Sequence, residues 1–85
     1  MVNQEKLERP SLDYFLSLKY PISIYPEEEG GYTAMIPNLP GCMTQGETLE
    51  EVVVNIEEAR QLWIETVYFS NKKDITRPSR KINSL

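Results

Sequence analysis

The chain of 85 residues has room for one small domain and not for two. It holds one cysteine and no histidine, which excludes an internal disulfide, a histidine-based catalytic triad and the usual zinc-ligand sets. Its charge is unevenly distributed, because residues 20–71 carry nine glutamates against one arginine, whereas the five bases of residues 72–85 face a single aspartate. An acidic body of this kind repels phosphate backbones and attracts basic proteins.

The first predicted elements are an arm and a short helix. Residues 1–10 are polar and show no periodicity, which predicts a flexible N-terminal arm. Apolar residues at helical spacing follow Ser11, a favoured capping residue, and predict a short amphipathic helix. A residue that precedes proline is disfavoured in a helix, so this helix should end by Tyr20, which comes before Pro21.

The period of the sequence then changes to two. Alternating side chains from Tyr20 to Tyr25 predict a strand with one buried face. Pro21 cannot donate to a strand ladder, so this strand should begin there or lie on a sheet edge. Residues 26–31 read Pro-Glu-Glu-Glu-Gly-Gly and predict a solvated turn, after which residues 32–36 form the return strand of a hairpin.

The second half of the domain is dominated by a predicted long helix. A Pro-Gly turn at residues 40–41 leads into a short third strand over residues 42–45. Thr48 and Glu51 then have the spacing of a capping box. A helix of about 20 residues follows and should end near Phe69. Its apolar stripe consists of Leu49, Val52, Val53, Ile56, Ala59, Trp63 and Val67.

This order of elements predicts an α+β fold, in which a three-stranded antiparallel sheet packs on one long helix and a short helix precedes the sheet. We place the folded domain at residues 11–71, between the flexible arm of residues 1–10 and a basic C-terminal tail of residues 72–85. Few apolar residues follow Lys72. The tail is therefore expected to be flexible, or to pair as an extra strand in an assembly.

Catalytic, cofactor and metal sites are not expected. Without histidine, Cys42 has no imidazole base, and the glycines at residues 30–31 lie in a hairpin turn and not in a phosphate-binding loop. Glu27, Glu28 and Glu29 are consecutive on a turn and point apart, which suits a solvated or protein-docking surface better than a metal site. The apolar runs are too short for a signal peptide or a membrane span, so we expect a cytoplasmic protein.

The two faces of the predicted sheet have different expected environments. Tyr20 and Tyr32 share strand faces with isoleucines and are predicted to be core or interface residues. Tyr25 and Met35 lie on the opposite face, which a single long helix cannot reach. An uncovered face with open strand edges invites pairing with another chain, so a homo-oligomer is expected.

Residues 20–70 carry a combination of motifs that resembles the HicB-like antitoxin family. They are a Glu-Gly-Gly-Tyr turn at residues 29–32, an Ile-Pro-Asn-Leu-Pro-Gly-Cys link at residues 36–42 and a Gly-Glu-Thr-Leu-Glu-Glu cap at residues 46–51. The resemblance implies that the folded domain is a HicB-like domain, with a partial ribonuclease H-like fold that lacks the active site. It also implies a partner, the small basic toxin HicA, which cleaves messenger RNA with a catalytic histidine and is blocked by the antitoxin.

We therefore expect a non-enzymatic antitoxin that binds and inhibits a HicA-type toxin and needs no cofactor. The acidic charge of residues 20–71 is independent of the resemblance and agrees with a basic partner. The candidate partner-binding residues are Glu27, Glu28, Glu29, Tyr32 and Met35.

Other functions stay open at this point. One is a solitary oligomeric HicB-like scaffold or regulator without a toxin. The order of elements also matches double-stranded-RNA-binding domains, but such domains need a basic face and residues 20–71 hold only Arg60. The residues from Lys72 onward are too few for the helix-turn-helix or ribbon-helix-helix domain that many relatives carry, so direct DNA binding is not expected.

Overall fold

The computed structural model describes residues 9–70 and 74–78. They form the predicted α+β fold, which is thereby confirmed. The elements are α1 (Leu12–Ser17), β1 (Ser23–Pro26), β2 (Tyr32–Met35), β3 (Met43–Gly46) and α2 (Leu49–Ser70). The three strands make one antiparallel sheet in the order β1-β2-β3, so β1 and β3 are its edges among the described residues.

Helix α1 begins as predicted and ends at Ser17, within the predicted limit at Tyr20. The Ser11 hydroxyl accepts a hydrogen bond from the Tyr14 N–H at 3.2 Å, so Ser11 is the N-terminal cap. The last helical residue is Ser17, because Leu18 adopts an extended conformation while its N–H still bonds to the Phe15 carbonyl. The helix is therefore only a turn and a half long, and its buried residue is Phe15.

Strand β1 lies on a sheet edge, which was one of the two predicted outcomes for a strand containing Pro21. It begins at Ser23, so the predicted start of the alternation at Tyr20 is wrong. Pro21 has no N–H for a ladder, and pairing starts two residues after it. Ile22, which alternation placed on the buried face, is 41% exposed. Tyr20 is buried in the core as predicted, but it lies outside the strand and does not share a strand face with Tyr32.

Helix α2 has the predicted start and length. Five residues of its predicted stripe are confirmed, because Val52 and Ile56 are buried and Ala59, Trp63 and Val67 pack against the core. The Thr48 hydroxyl accepts from the Glu51 N–H at 3.0 Å. The buried residues are Val52, Ile56, Arg60 and Ile64. Leu49 and Val53 were predicted on the buried stripe and are 51% and 45% exposed. The backbone of Val52 lies directly against Gly46, and this contact fixes which side of the helix faces the sheet.

The segment that follows the helix packs on the domain. Ile75 is buried in the core, and the Tyr20 hydroxyl donates to the Thr76 carbonyl at 2.6 Å. Burial raises the pKa of Tyr20 above its usual value even though Arg60 and Arg77 lower it, and the hydroxyl therefore keeps the proton that it donates. Residues 74–78 are thus neither an extra strand nor detached from the domain. The rest of the predicted tail and residues 1–8 of the predicted arm lie outside the described residues.

Candidate protein-binding site

Two glycines shape the hairpin turn that carries the consecutive glutamates. The Glu27 N–H donates to the Gly31 carbonyl at 2.9 Å, and the Gly30 N–H donates to the Glu27 carbonyl at 3.0 Å. Gly30 and Gly31 both have positive φ, at 107° and 85°, a conformation that side chains with a Cβ disfavour. The turn therefore projects Glu28 and Glu29 beyond the end of the sheet while the backbone closes behind them.

A third glycine brings the start of α2 against the same end of the sheet. A Cβ on Gly46 would lie 2.7 Å from the Val52 nitrogen, and a Cβ on Gly31 would lie 2.9 Å from the Gly46 carbonyl oxygen. The hairpin turn, the end of β3 and the first turn of α2 therefore meet at glycine contacts. This approach places the glutamates of the turn beside Glu47 and Glu51 of the helix start.

The result is an acidic groove of about 860 Å³ between the hairpin turn and the start of α2. Five glutamates line it, and none of the described residues that line it is basic. Within residues 9–70 and 74–78, no cluster of three or more cysteine, aspartate or glutamate side chains could hold a metal ion. The lining residues are Glu27, Glu28, Glu29, Gly30, Gly31, Tyr32, Gln45, Gly46, Glu47, Glu51 and Asn55.

Four of the five candidate partner-binding residues lie together at this groove, namely the three turn glutamates and Tyr32. Glu27 is partly engaged, because its carboxylate accepts a hydrogen bond of 2.5 Å from the Thr33 hydroxyl. Tyr32 is half-buried and also packs against the core. Met35 is not part of the groove, because it lies three residues further along β2 on the other face of the sheet.

Sequence reasoning missed the second wall of the groove. Glu47, Glu51 and Asn55 were not proposed as site residues, because helix periodicity places them only relative to the helix itself. The Glu51 carboxylate accepts from the Glu47 N–H, so these two glutamates are tied to each other at the helix start. A signal existed in Gly46, whose position two residues before the capping residue Thr48 allows a strand end and a helix start to touch.

Met35 belongs to the outer face of the sheet, as predicted. The register aligns Met43, Met35 and Ser23 across the three strands, and it aligns Thr33 with Tyr25 in the next row. Tyr25 is 50% exposed and Met43 is 53% exposed. Helix α2 packs on the opposite face, where Ala34 and Ile36 are buried. The outer face is therefore a second surface, separate from the acidic groove.

A smaller apolar groove of about 330 Å³ runs between β3 and α2. Cys42 and Trp63 contribute to its lining, and the Trp63 indole N–H donates to the Pro40 carbonyl at 2.8 Å. Cys42 is buried, and this burial raises the pKa of its thiol despite the opposing charge of Arg60. Cys42 therefore behaves as a small apolar residue of the core and not as an activated nucleophile.

Comparison with known proteins decides the family. The model of the HicB-like antitoxin of bacterial toxin-antitoxin systems matches residues 20–85, which is most of the chain. The chain belongs to the HicB-like antitoxin family. All residues of the acidic groove and of the outer sheet face fall inside the matched region of this HicB-like chain.

Relatives of this HicB-like chain carry two kinds of name. A UPF0150 protein of Synechocystis is 50% identical over 56 residues, which cover 66% of this chain and 77% of that protein. A UPF0150 protein of Thermoplasma acidophilum is 43% identical over 56 residues, covering 66% of this chain and 81% of its own length. Antitoxin HicB of Escherichia coli K12 is 34% identical over 62 residues, covering 73% of this chain and 44% of that antitoxin. The chain thus spans most of the UPF0150 proteins and less than half of the Escherichia coli antitoxin.

In the part of the chain that the structure describes, no helix is both long enough and apolar enough to cross a membrane. The charged and polar residues spaced along α2 account for this, because they keep its apolar runs short.

Proposed function

We propose that this HicB-like chain is a non-enzymatic antitoxin, which binds and inhibits a small basic HicA-type toxin that cleaves messenger RNA. The observation that supports the proposal best is the acidic groove, in which five glutamates from two separate segments face one concavity. Family membership supplies the partner class, since relatives such as the Escherichia coli protein are named antitoxins. The groove supplies a surface of the charge that a basic toxin requires.

The groove offers both components of a protein interface. Its rim glutamates, Glu28 and Glu29, are exposed, and exposed charges of this kind act mainly on the rate of association. Tyr32 is half-buried beside them and provides an aromatic surface that is already fixed by the core. Aromatic residues held in this way contribute disproportionately to binding affinity. We therefore expect Glu28 and Glu29 to act on the rate of association with the toxin and Tyr32 to contribute to the affinity.

Co-expression with the small basic product of the neighbouring reading frame tests the proposal. The native chain should rescue growth and should co-purify with that product. Glu28→Lys combined with Glu29→Lys should weaken binding at least about tenfold, because two attractive charges become repulsive. The matched control is Glu58→Lys combined with Glu65→Lys, which changes the net charge equally on α2, away from the groove residues.

The control variant should keep growth rescue and most of the affinity. Equal losses in both double variants would show that net charge and not the groove carries binding. A neighbouring product that is neither toxic nor bound by the native chain would contradict the antitoxin proposal itself.

A second candidate function is a solitary oligomeric scaffold or regulator without a toxin. The observation that favours it is the exposed apolar outer face of the sheet, on which Tyr25 and Met43 are each about half exposed. In this case the chain would assemble with itself and would not bind the product of the neighbouring reading frame. The native chain would then form an oligomer of fixed size, and its expression would leave the toxicity of any neighbouring product unchanged.

A further inference from the structure

The outer edge of β1 presents backbone groups with which no residue among 9–70 and 74–78 pairs. The Ile36 N–H donates to the Cys42 carbonyl. In an antiparallel ladder every second residue of a strand bonds to the same neighbouring strand, so Ala34 also bonds towards β3. Thr33 and Met35 therefore bond towards β1, where they pair with Tyr25 and Ser23. It follows that the N–H and carbonyl of Ile24 point away from the sheet.

The hydrogen bonds of the hairpin turn independently give the same orientation of the β1 backbone groups. The Glu27 N–H bonds inwards to the Gly31 carbonyl, so the preceding residue, Pro26, has its nitrogen and carbonyl on the outer side. Proline is tolerated at an outward-facing position of an edge strand because no ladder bond is lost there. The outer edge of β1 thus offers the Ile24 N–H together with the Ile24 and Pro26 carbonyls.

At the opposite edge of the sheet, helix α2 binds one outward-facing carbonyl. By the same alternation, Gln45 of β3 directs its carbonyl outwards, and the Asn55 side chain donates to that carbonyl at 2.8 Å. Helix α2 therefore satisfies an outward-facing group of β3 that an added strand would need. None of the hydrogen bonds found among residues 9–70 and 74–78 satisfies the outward groups of Ile24 in this way. An exposed strand edge of this kind is a template for another strand.

We propose that two copies of the chain pair through their β1 edges, antiparallel and centred on Ile24, so that the two three-stranded sheets join into one sheet. In this register each Ile24 N–H donates to the carbonyl of Ile24 of the partner subunit. Each Ile22 N–H donates to the carbonyl of Pro26 of the partner subunit. Pro26 has no N–H, so one further bond is lost at each end of the pairing and the central bonds are complete.

The side chains favour a second copy as the occupant. Residues 20–26 contain no charged side chain, so two acidic bodies can meet there without bringing glutamates together. In the proposed register Tyr25 lies opposite Ser23 of the partner subunit, and the small serine lets the ring reach Met35 of the partner subunit. Pairing would cover Ile22 and Tyr25, which are exposed in the single chain. A domain of this size also gains stability from such coverage.

Cross-linking at defined positions tests the interface and its register. Ser23 and Tyr25 of opposite chains form a non-hydrogen-bonded pair in this register, with Cα atoms about 4.5 Å apart, which a disulfide can span. In a Cys42→Ala background, chains carrying Ser23→Cys refolded together with chains carrying Tyr25→Cys should form a disulfide-linked heterodimer on mild oxidation. Either variant alone, and a mixture of Ser23→Cys with Leu62→Cys chains, should cross-link far less.

Two further measurements complete the test. Sedimentation at micromolar concentration should give twice the mass of one chain. Tyr25→Glu should raise the dimer dissociation constant at least about tenfold, whereas Val54→Glu, at a similarly exposed apolar residue of α2, should leave it unchanged. A native chain that sediments as a monomer would overturn the proposal, as would a dimer whose Ser23→Cys and Tyr25→Cys mixture does not cross-link.

The toxin proposal and the pairing proposal fail separately. Pairing is measured on the purified chain alone, and the acidic groove lies outside the β1 edge. A dimer that does not bind the neighbouring product would leave pairing standing and remove the antitoxin function. Loss of the cross-link when that product is present during oxidation would show that the product and a second copy compete for the β1 edge, and it would leave pairing of the chain alone standing.

Discussion

Arg60 is the residue whose role differs most from what its place in the sequence indicates. It is the single base within residues 20–71, and it is one of the buried residues of α2. Its guanidinium donates to the Leu16 carbonyl at 2.8 Å and forms two hydrogen bonds with the Glu57 carboxylate, at 2.9 and 3.1 Å. Arg60 thereby satisfies a carbonyl at the end of α1 and ties the two helices together.

Replacing Arg60 should destabilise the fold more than a matched change on the surface. Arg60→Met keeps most of the side-chain volume but leaves the Leu16 carbonyl without its donor, which should cost about 2–3 kcal/mol of unfolding free energy. Urea unfolding followed by circular dichroism measures this cost. Gln61→Met, at the exposed neighbouring position, should change the unfolding free energy by less than about 0.5 kcal/mol. Equal effects of the two substitutions would contradict the structural role of Arg60.

At the scale of elements, the junction between β3 and α2 determines how the acidic groove is built. Gly46 ends the strand, and two residues later Thr48 caps the helix. Val52 packs against Gly46 so closely that a Cβ there would lie 2.7 and 2.8 Å from backbone atoms of Val52. The junction therefore sets the rotation of α2 and with it the positions of Glu47 and Glu51.

Gly46→Ala should therefore perturb both stability and the groove. The added methyl group meets backbone atoms that cannot rotate away, and overpacking of this kind costs about 1–3 kcal/mol. Gly41→Ala is the comparison, because Gly41 has a φ of 86° but no atom within 4 Å of its added Cβ. It should cost only the conformational strain of about 1–2 kcal/mol. Thermal unfolding measures stability, and only Gly46→Ala should also shift the amide resonances of Glu47 and Glu51.

For the whole molecule, charge is segregated between two surfaces with opposite requirements. The acidic groove gathers glutamates at one end of the sheet, whereas the β1 edge has none within residues 20–26. Acidic bodies repel each other and attract a basic partner. Salt should therefore weaken the proposed association with the basic toxin and strengthen the proposed pairing between copies.

The dependence on salt provides a test of this segregation. When sodium chloride is raised from about 50 mM to about 500 mM, the rate of association with the basic toxin should fall at least about tenfold, because screening removes electrostatic steering. Over the same range the dissociation constant for pairing between copies should fall or stay constant. Stopped-flow fluorescence and sedimentation measure the two quantities. A toxin association rate that does not depend on salt would contradict steering by the groove.

The helix starts and the hairpin turn could be predicted from the sequence alone, because each rests on interactions between residues close together in the chain. Ser11 and Thr48 cap the helices at which periodicity predicts a start, and glycines 30 and 31 close the hairpin turn with positive φ. The acidic balance of the body is likewise a property of composition and required no structure. The caps and the turn depend on residues no more than four positions away, so the sequence alone is enough to predict them.

Only the tertiary structure decided which distant segments meet. The contact of Gly46 with Val52 rotates α2, so that Leu49 and Val53 are exposed and Arg60 is buried. The contact of Gly31 with Gly46 brings the turn glutamates to Glu47 and Glu51. Ile75 returns to the core although its surroundings in the sequence are polar. Helical periodicity defines a stripe only relative to the helix axis, and packing against the rest of the chain selects which side of that axis is buried.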